Sequence, residues 1–235
     1  MNAPKKHGPR RELKSRDTAW ARGLAKAACA SGITPNAISV ISMVFAAGAW
    51  ACFYYAPDRL TAPSACLLWI GAVAFIQLRL LCNLMDGMVA EEGGKASLTG
   101  PIYNEAPDRI ADVLILVGAG YSTNVVPGVI KLFDALPLGW TCALLAMGTA
   151  YLRLLQGTLT GQQSFMGPMA KQHRMAVLTI GTLYAAGEQW FSKAAVADVH
   201  IHGIKIALIV IAVGAVVTCL RRLSLTVSLL KESSR

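Results

Sequence analysis

Acidic residues are scarce in this chain: 13 Asp and Glu stand against 22 Lys and Arg, and charged residues of both signs make up only 15% of its 235 residues. A soluble domain carries nearer a quarter, so a surface that faces water all round is excluded. Apolar side chains take the place of charge. They form 54% of the sequence and gather into long runs, as a chain that crosses a bilayer several times requires. Cysteine pairs are missing too. None of the 6 cysteines (Cys29, Cys52, Cys66, Cys82, Cys142 and Cys219) forms a C-x-x-C, and most lie inside apolar runs. They read as small buried hydrophobes, not as a zinc site or a disulfide framework. No internal repeat is visible, which argues against a transporter built from inverted repeats. No secretory leader is read at the N-terminus, because Arg22 and Lys26 interrupt the candidate apolar stretch.

The excess positive charge is concentrated at one end. Lys5, Lys6, Arg10, Arg11, Lys14, Arg16, Arg22 and Lys26 precede Asn36, opposed only by Glu12 and Asp17. Trp20 is the one aromatic residue among them, which is no aromatic-basic interleaving, so no nucleic-acid partner is expected. A topology signal that keeps the N-terminus inside, with attraction to anionic lipid head groups, accounts for the charge. Residues 1–15 read as a disordered basic tail, and residues 16–235 as one membrane domain. Within it, residues 16–31 are predicted to form an amphipathic helix in the interface plane, with Trp20, Leu24 and Ala27 or Ala28 on one face. Gly32 ends that helix, and Pro35 starts the next. Six spans follow, near 37–56, 65–86, 107–126, 137–157, 174–191 and 203–225. The expected fold is therefore an all-α membrane protein with six transmembrane helices and an N-terminal interfacial helix. Lys and Arg outnumber acids on the side that holds both termini and the loops at 87–106 and 158–173, which makes that side cytoplasmic.

Against this apolar background, carboxylates near the spans stand out, because burying charge is expensive. Asn83, Asp86, Gly87 and Ala90 recur at helical spacing along span 2, and Asn104, Asp108 and Asp112 along span 3, so each set forms a polar stripe. The loop between these spans is short, and the stripes are expected to face each other across it. Facing rows of oxygen ligands suit a hard cation such as Mg²⁺ or Mn²⁺. Such an ion bridges phosphate oxygens, while a spare carboxylate deprotonates an attacking hydroxyl. Gly87 allows close approach of a ligand or another backbone. Taken singly, Asp112, Glu105 and Glu92 read equally well as helix caps or partners of Arg109 and Lys95.

The stretch N83-L-M-D86-G87-M-V-A90-E91, eight residues, G100-P-I-Y-N104-E-A-P-D108 resembles the signature of the CDP-alcohol phosphatidyltransferases, D-x-x-D-G-x-x-A-R-x8-G-x-x-x-D-x-x-x-D. Every spacing is kept. Asp86, Gly87, Ala90, Gly100 and Asp108 match in identity, while Asn83 and Asn104 stand for aspartates and Glu91 for the arginine. The resemblance implies a divalent-metal-dependent transferase of phospholipid biosynthesis. Such an enzyme moves a substituted phosphate from a CDP-linked lipid such as CDP-diacylglycerol to an alcohol acceptor, releasing CMP. It further implies that Asp86 is a metal ligand, joined by Asn83, Asn104 and Asp108, with Asp112 and Glu105 as nearby candidates to restore charge. Asp108 becomes the base acting on the acceptor hydroxyl, and Gly87, Ala90 and Gly100 shape the cytidine diphosphate pocket. Arg79, one turn before Asn83, either supplies the missing phosphate contact or snorkels to the interface. Lys171 and Arg174, at the start of span 5, either hold an anionic acceptor or the donor's phosphates, or mark a positive-inside loop. The implied setting is the bacterial inner membrane, with the active site on the cytoplasmic side and a homodimer as the possible assembly. Two other readings are carried: an inactive member that binds nucleotide-lipid or scaffolds lipid enzymes, and a small ion transporter using Asp86 and Asp108.

Overall fold

A computed structural model describes residues 18–56, 63–92, 99–123, 138–191 and 202–233. The tail read over residues 1–15 and the loop charges Asp58, Arg59, Lys95, Lys131, Asp134, Lys193 and Asp198 lie outside the described residues. Among those that are described, every regular element is helical: α1 (Ala19–Ala30), α2 (Pro35–Tyr55), α3 (Pro63–Glu92), α4 (Gly100–Thr123), α5 (Leu138–Thr160), α6 (Lys171–Phe191) and α7 (His202–Ser233). The helices overlie all six predicted spans. Three of them extend well past the predicted bounds: α3 carries Asn83 through Glu92, α4 begins at Gly100, and α7 runs on to Ser233.

Local signals set the first boundary. Gly32 takes a left-handed φ of 79° after α1, a conformation that glycine adopts without steric cost. Thr34 then caps α2, its hydroxyl accepting from the Ala37 N–H at 3.2 Å, with Pro35 in the first turn; such a cap contributes about 1 kcal/mol. Ala21 and Ala25 of α1 are buried, whereas Trp20 and Leu24 are 54% and 45% exposed. The face read as amphipathic from the sequence thus points away from the protein, and the alanine face packs against α3.

The other six helices form a closed ring in the order α2, α4, α5, α7, α6, α3. This corrects one expectation. α3 and α4 are consecutive and carry the two polar stripes, but they barely touch; α2 packs along both. Small residues let helix backbones close in, as in other membrane bundles. A Cβ on Gly120 would meet the Gly139 Cα at 2.5 Å, and one on Gly181 would meet the Gly203 carbonyl oxygen at 2.5 Å. These approaches fix the α4–α5 and α6–α7 seams. Phe53, Trp69, Ile76, Ile115, Leu116, Leu178, Leu208 and Ile211 fill the interior. Gly120→Val and Gly181→Val are each expected to destabilise the bundle by about 1–3 kcal/mol, the usual cost of overpacking. Gly187→Val, where nothing lies within 4 Å, is expected to leave thermal unfolding in detergent unchanged.

Among the described residues, four segments are long and apolar enough to cross a membrane: Pro35–Tyr55, Ala65–Glu91, Leu138–Thr160 and Gly203–Ser233. α4 and α6 fall short because they carry most of the polar cluster described next: Asp108, Arg109 and Asp112 on α4, Lys171 and Arg174 on α6.

Candidate active site

The cluster lies inside the ring, at the end where α3 stops and α4 starts. α3 brings Arg79, Asn83 and Asp86 inward at positions i, i+4 and i+7, and α4 brings Asp108 and Asp112. α6, next to α3 in the ring and across it from α4, contributes Lys171 and Arg174. Long side chains bridge the distance that the α3 and α4 backbones leave between them.

Asp112 is the deepest acid. Its Oδ1 accepts from Arg79 Nη2 at 2.8 Å, and its Oδ2 from Arg174 Nη2 at 2.8 Å. All three side chains are at most 2% exposed. Arg174 Nη1 also donates to Thr149 Oγ1 at 3.1 Å and to the Met169 carbonyl at 3.0 Å. Both oxygens of Asp112 are therefore committed to arginines, which differs from the metal ligand expected of it. Arg174 is an internal brace in this geometry, not a surface group awaiting an anion.

Asp108 sits one turn nearer the end. Its Oδ1 accepts from Arg79 Nη2 at 3.3 Å, its backbone carbonyl from the same nitrogen at 3.2 Å, and its Oδ2 from Lys171 Nζ. Lys171 Nζ donates also to Asn83 Oδ1 at 2.6 Å. Arg79 is fully buried and so does not snorkel. Its Nε and Nη1 have no hydrogen-bond partner among the described residues, an unusual state for buried donors and one that a ligand or water relieves.

Asp86 differs from both. Ser39 Oγ, from α2, donates to its Oδ2 at 2.8 Å, and it forms none of the ion pairs among the described residues. Lys171 and Asp108 nonetheless lie within electrostatic reach of it. Gly87 and Ala90 are half-buried in the last turns of α3, Gly100 opens α4, and Asn104 is exposed on its second turn. Glu91 is exposed. Glu105 turns elsewhere, pairing with Arg109 at 3.0 Å and with Arg153, whose guanidinium lies over the Phe165 ring at 5.3 Å. Arg222 holds the α5–α6 connection by donating to the Met166 carbonyl at 3.0 Å and to the Thr149 carbonyl. Ser39 and Thr149 belong to the cluster but were not singled out in the sequence.

Among the described residues no three His, Cys, Asp or Glu side chains converge as a metal-holding group. With Asp112 committed to arginines and Asp108 met by two cations, Asp86 is the one carboxylate of the set without an ion-pair partner. The donor set fits a single hard cation with Asp86 as its charged ligand, aided by neutral amide oxygens and by substrate phosphate. It does not fit a pair of metals held by four carboxylates.

No family model matches the chain. Over 134 residues it is 29% identical to the inner membrane protein YnbA of Escherichia coli (strain K12), a match covering 56% of this chain and 60% of that protein. The chain thus spans less than two thirds of that relative. Among solved structures it is similar to the phosphatidylinositol phosphate synthase (PgsA1) of Mycobacterium tuberculosis with CDP-DAG bound, with a TM-score of 0.67 and 16% identity over 89% of this chain and 94% of that one. It is similar also to the same synthase in complex with manganese and citrate, with a TM-score of 0.68 and 17% identity over 88% of each chain. The chain therefore has the fold of that synthase.

Proposed function

We propose that the chain is a divergent CDP-alcohol phosphatidyltransferase, an integral membrane enzyme that moves a substituted phosphate from a CDP-linked lipid to an alcohol and releases CMP. The observation that carries this reading is the convergence of the fixed-spacing pattern, spread over α3 and α4, with the cations of α3 and α6 inside a fold shared with a CDP-DAG-binding synthase. Arg79, with donor atoms left unpaired among the described residues, and Lys171, with a hydrogen to spare, suit a diphosphate.

In this reading the six helices of the ring all cross the membrane, with both termini and the cluster on the cytoplasmic side. The polar rows of α4 and α6 are tolerated because they face inward and pair with one another. α1 lies in the interface with Trp20 and Leu24 toward lipid. The membrane is the bacterial inner membrane, and the protein works as a homodimer.

The donor's diphosphate is held by Arg79 and Lys171, near the turns of α3 that carry Gly87 and Ala90 and the start of α4 at Gly100. A divalent ion, Mg²⁺ or Mn²⁺, would be held at Asp86 with help from the amide oxygen of Asn104, the Asn83 oxygen being met by Lys171; it would neutralise charge on the diphosphate and on the leaving CMP. The acceptor oxygen forms a bond to the lipid-linked phosphorus, the bond from that phosphorus to the bridging oxygen of CMP breaks, and Asp108 receives the hydroxyl proton. Each Asp108 oxygen accepts one hydrogen bond from a cation and keeps a further lone pair for that proton. Ser39 orients Asp86, and Asp112 with Arg174 holds Arg79 in place.

The test is incubation of the purified full chain with labelled CDP-diacylglycerol and a panel of polar alcohols, with and without chelator. Alcohol-dependent release of CMP and formation of a new lipid are expected, and both are expected to stop in excess chelator. The replacement of two aspartates by Asn83 and Asn104 favours a second reading, an inactive nucleotide-lipid binder. Tight CDP-diacylglycerol binding without CMP release from any alcohol distinguishes it.

A further inference from the structure

Two of the oxygens that the pattern offers to a metal are already met by a cation belonging to the chain. Lys171 Nζ, from α6, donates to Asn83 Oδ1 on α3 at 2.6 Å and to Asp108 Oδ2 on α4. Asn83 and Asp108 occupy the first and last acidic positions of the pattern, on helices that barely touch. A side chain from a third helix closes the gap between them. An ammonium carries three donors and no acceptor, so its two bonds here leave one hydrogen for a further anionic oxygen.

Charge and chemistry agree with this placement. Asparagine at position 83 offers a neutral carbonyl oxygen, which a monovalent donor satisfies without an uncompensated carboxylate remaining. A divalent ion brought to the same two oxygens would meet the lysine charge directly. Asp86, beside the lysine but outside its hydrogen bonds, keeps an environment in which one metal ion is still accommodated.

We propose that Lys171 is a tethered cation that takes the place of a divalent ion between Asn83 and Asp108, so that the site holds at most one metal, at Asp86, and the lysine's third hydrogen meets a phosphate oxygen of the donor. The identity of the donor rests on the transferase reading; the metal count does not. Lys171 is thereby a substrate-contacting residue with a role the four-aspartate pattern assigns to a metal.

The experiment is a Mn²⁺ titration of the full-length protein in detergent, with free ion followed by electron paramagnetic resonance and no substrate present. The wild type is expected to bind no more than one ion, as are Lys171→Arg and Asn83→Asp. Lys171→Met is expected to tighten Mn²⁺ binding roughly tenfold or more, because it removes a like charge within electrostatic reach of Asp86 in a medium less polar than water. Lys171→Met combined with Asn83→Asp is expected to gain a second ion. Two ions on the wild type would overturn the proposal. So would a folded double variant that binds no more ions than the wild type. Should the double variant fail to fold, the wild type and Asn83→Asp decide: one ion at most on each supports the tethered lysine, and two on either overturns it. CMP release is scored in a separate assay, so loss of the transferase reading would leave the metal count standing.

Discussion

Asp112→Asn is expected to destabilise the protein by about 3–5 kcal/mol, the cost of leaving buried charges without their partner. Asp112 is the common counter-ion of Arg79 and Arg174, and none of the three side chains is more than 2% exposed. An asparagine of the same shape keeps one acceptor oxygen but removes the charge that balances two guanidinium groups. Thermal unfolding in detergent, followed by circular dichroism, reads the loss. Replacing all three residues together, with Asp112→Leu, Arg79→Met and Arg174→Met, is expected to recover most of that stability, because an apolar cluster of similar volume avoids the desolvation cost. A change below about 1 kcal/mol for Asp112→Asn, the range of exposed pairs, would show that water reaches this cluster.

Asp86→Asn is expected to act on chemistry with far less effect on stability. Its one side-chain hydrogen-bond partner among the described residues is the Ser39 hydroxyl, which can bond an amide as well as a carboxylate. What disappears is the charge that holds a cation against the donor's diphosphate. Loss of a preorganised group that stabilises developing charge costs roughly a hundredfold to a thousandfold in turnover. Weaker Mn²⁺ binding, measured without substrate, is expected to accompany it. Ser39→Ala removes a hydrogen bond to a charged group, worth about 1.5–3 kcal/mol; the loss of rate is expected to be about tenfold, because the carboxylate stays. Unchanged turnover in Asp86→Asn would place the metal, or the reaction, elsewhere.

The helices were legible in the sequence because apolar runs, Gly32 and Pro35 act locally. Their arrangement was not. The short connection between α3 and α4 suggested neighbours, yet α2 packs against both, and which helices close a ring depends on contacts such as Gly120 with Gly139 and Gly181 with Gly203. Those pairs join consecutive helices but carry no periodic signal that marks them in the sequence. The pattern from Asn83 to Asp108 could be read because its spacing is fixed on two consecutive helices. The partners of its side chains could not, since Lys171 reaches Asp108 across 63 positions and Arg174 reaches Asp112 across 62. The sequence leaves Asp112 open between metal ligand and helix cap or ion-pair partner, and Arg174 between anion site and positive-inside residue; that each is bound to the other is visible only in the fold. Ser39 did leave a trace. Ser39, Ser42, Ala46, Ala49 and Phe53 recur at helical spacing and form the buried face of α2, so a hydroxyl on that face near its polar end was a candidate partner for an acid.

The most direct measurement of the central claim is CMP release from CDP-diacylglycerol by the purified full chain in lipid vesicles, wild type beside Asp86→Asn, with equal folding of the two verified. The account predicts CMP release by the wild type that depends on an added alcohol and on a divalent ion, and at least a hundredfold less by the variant. It is contradicted if the wild type releases no CMP with any alcohol, or if Asp86→Asn releases it at the same rate.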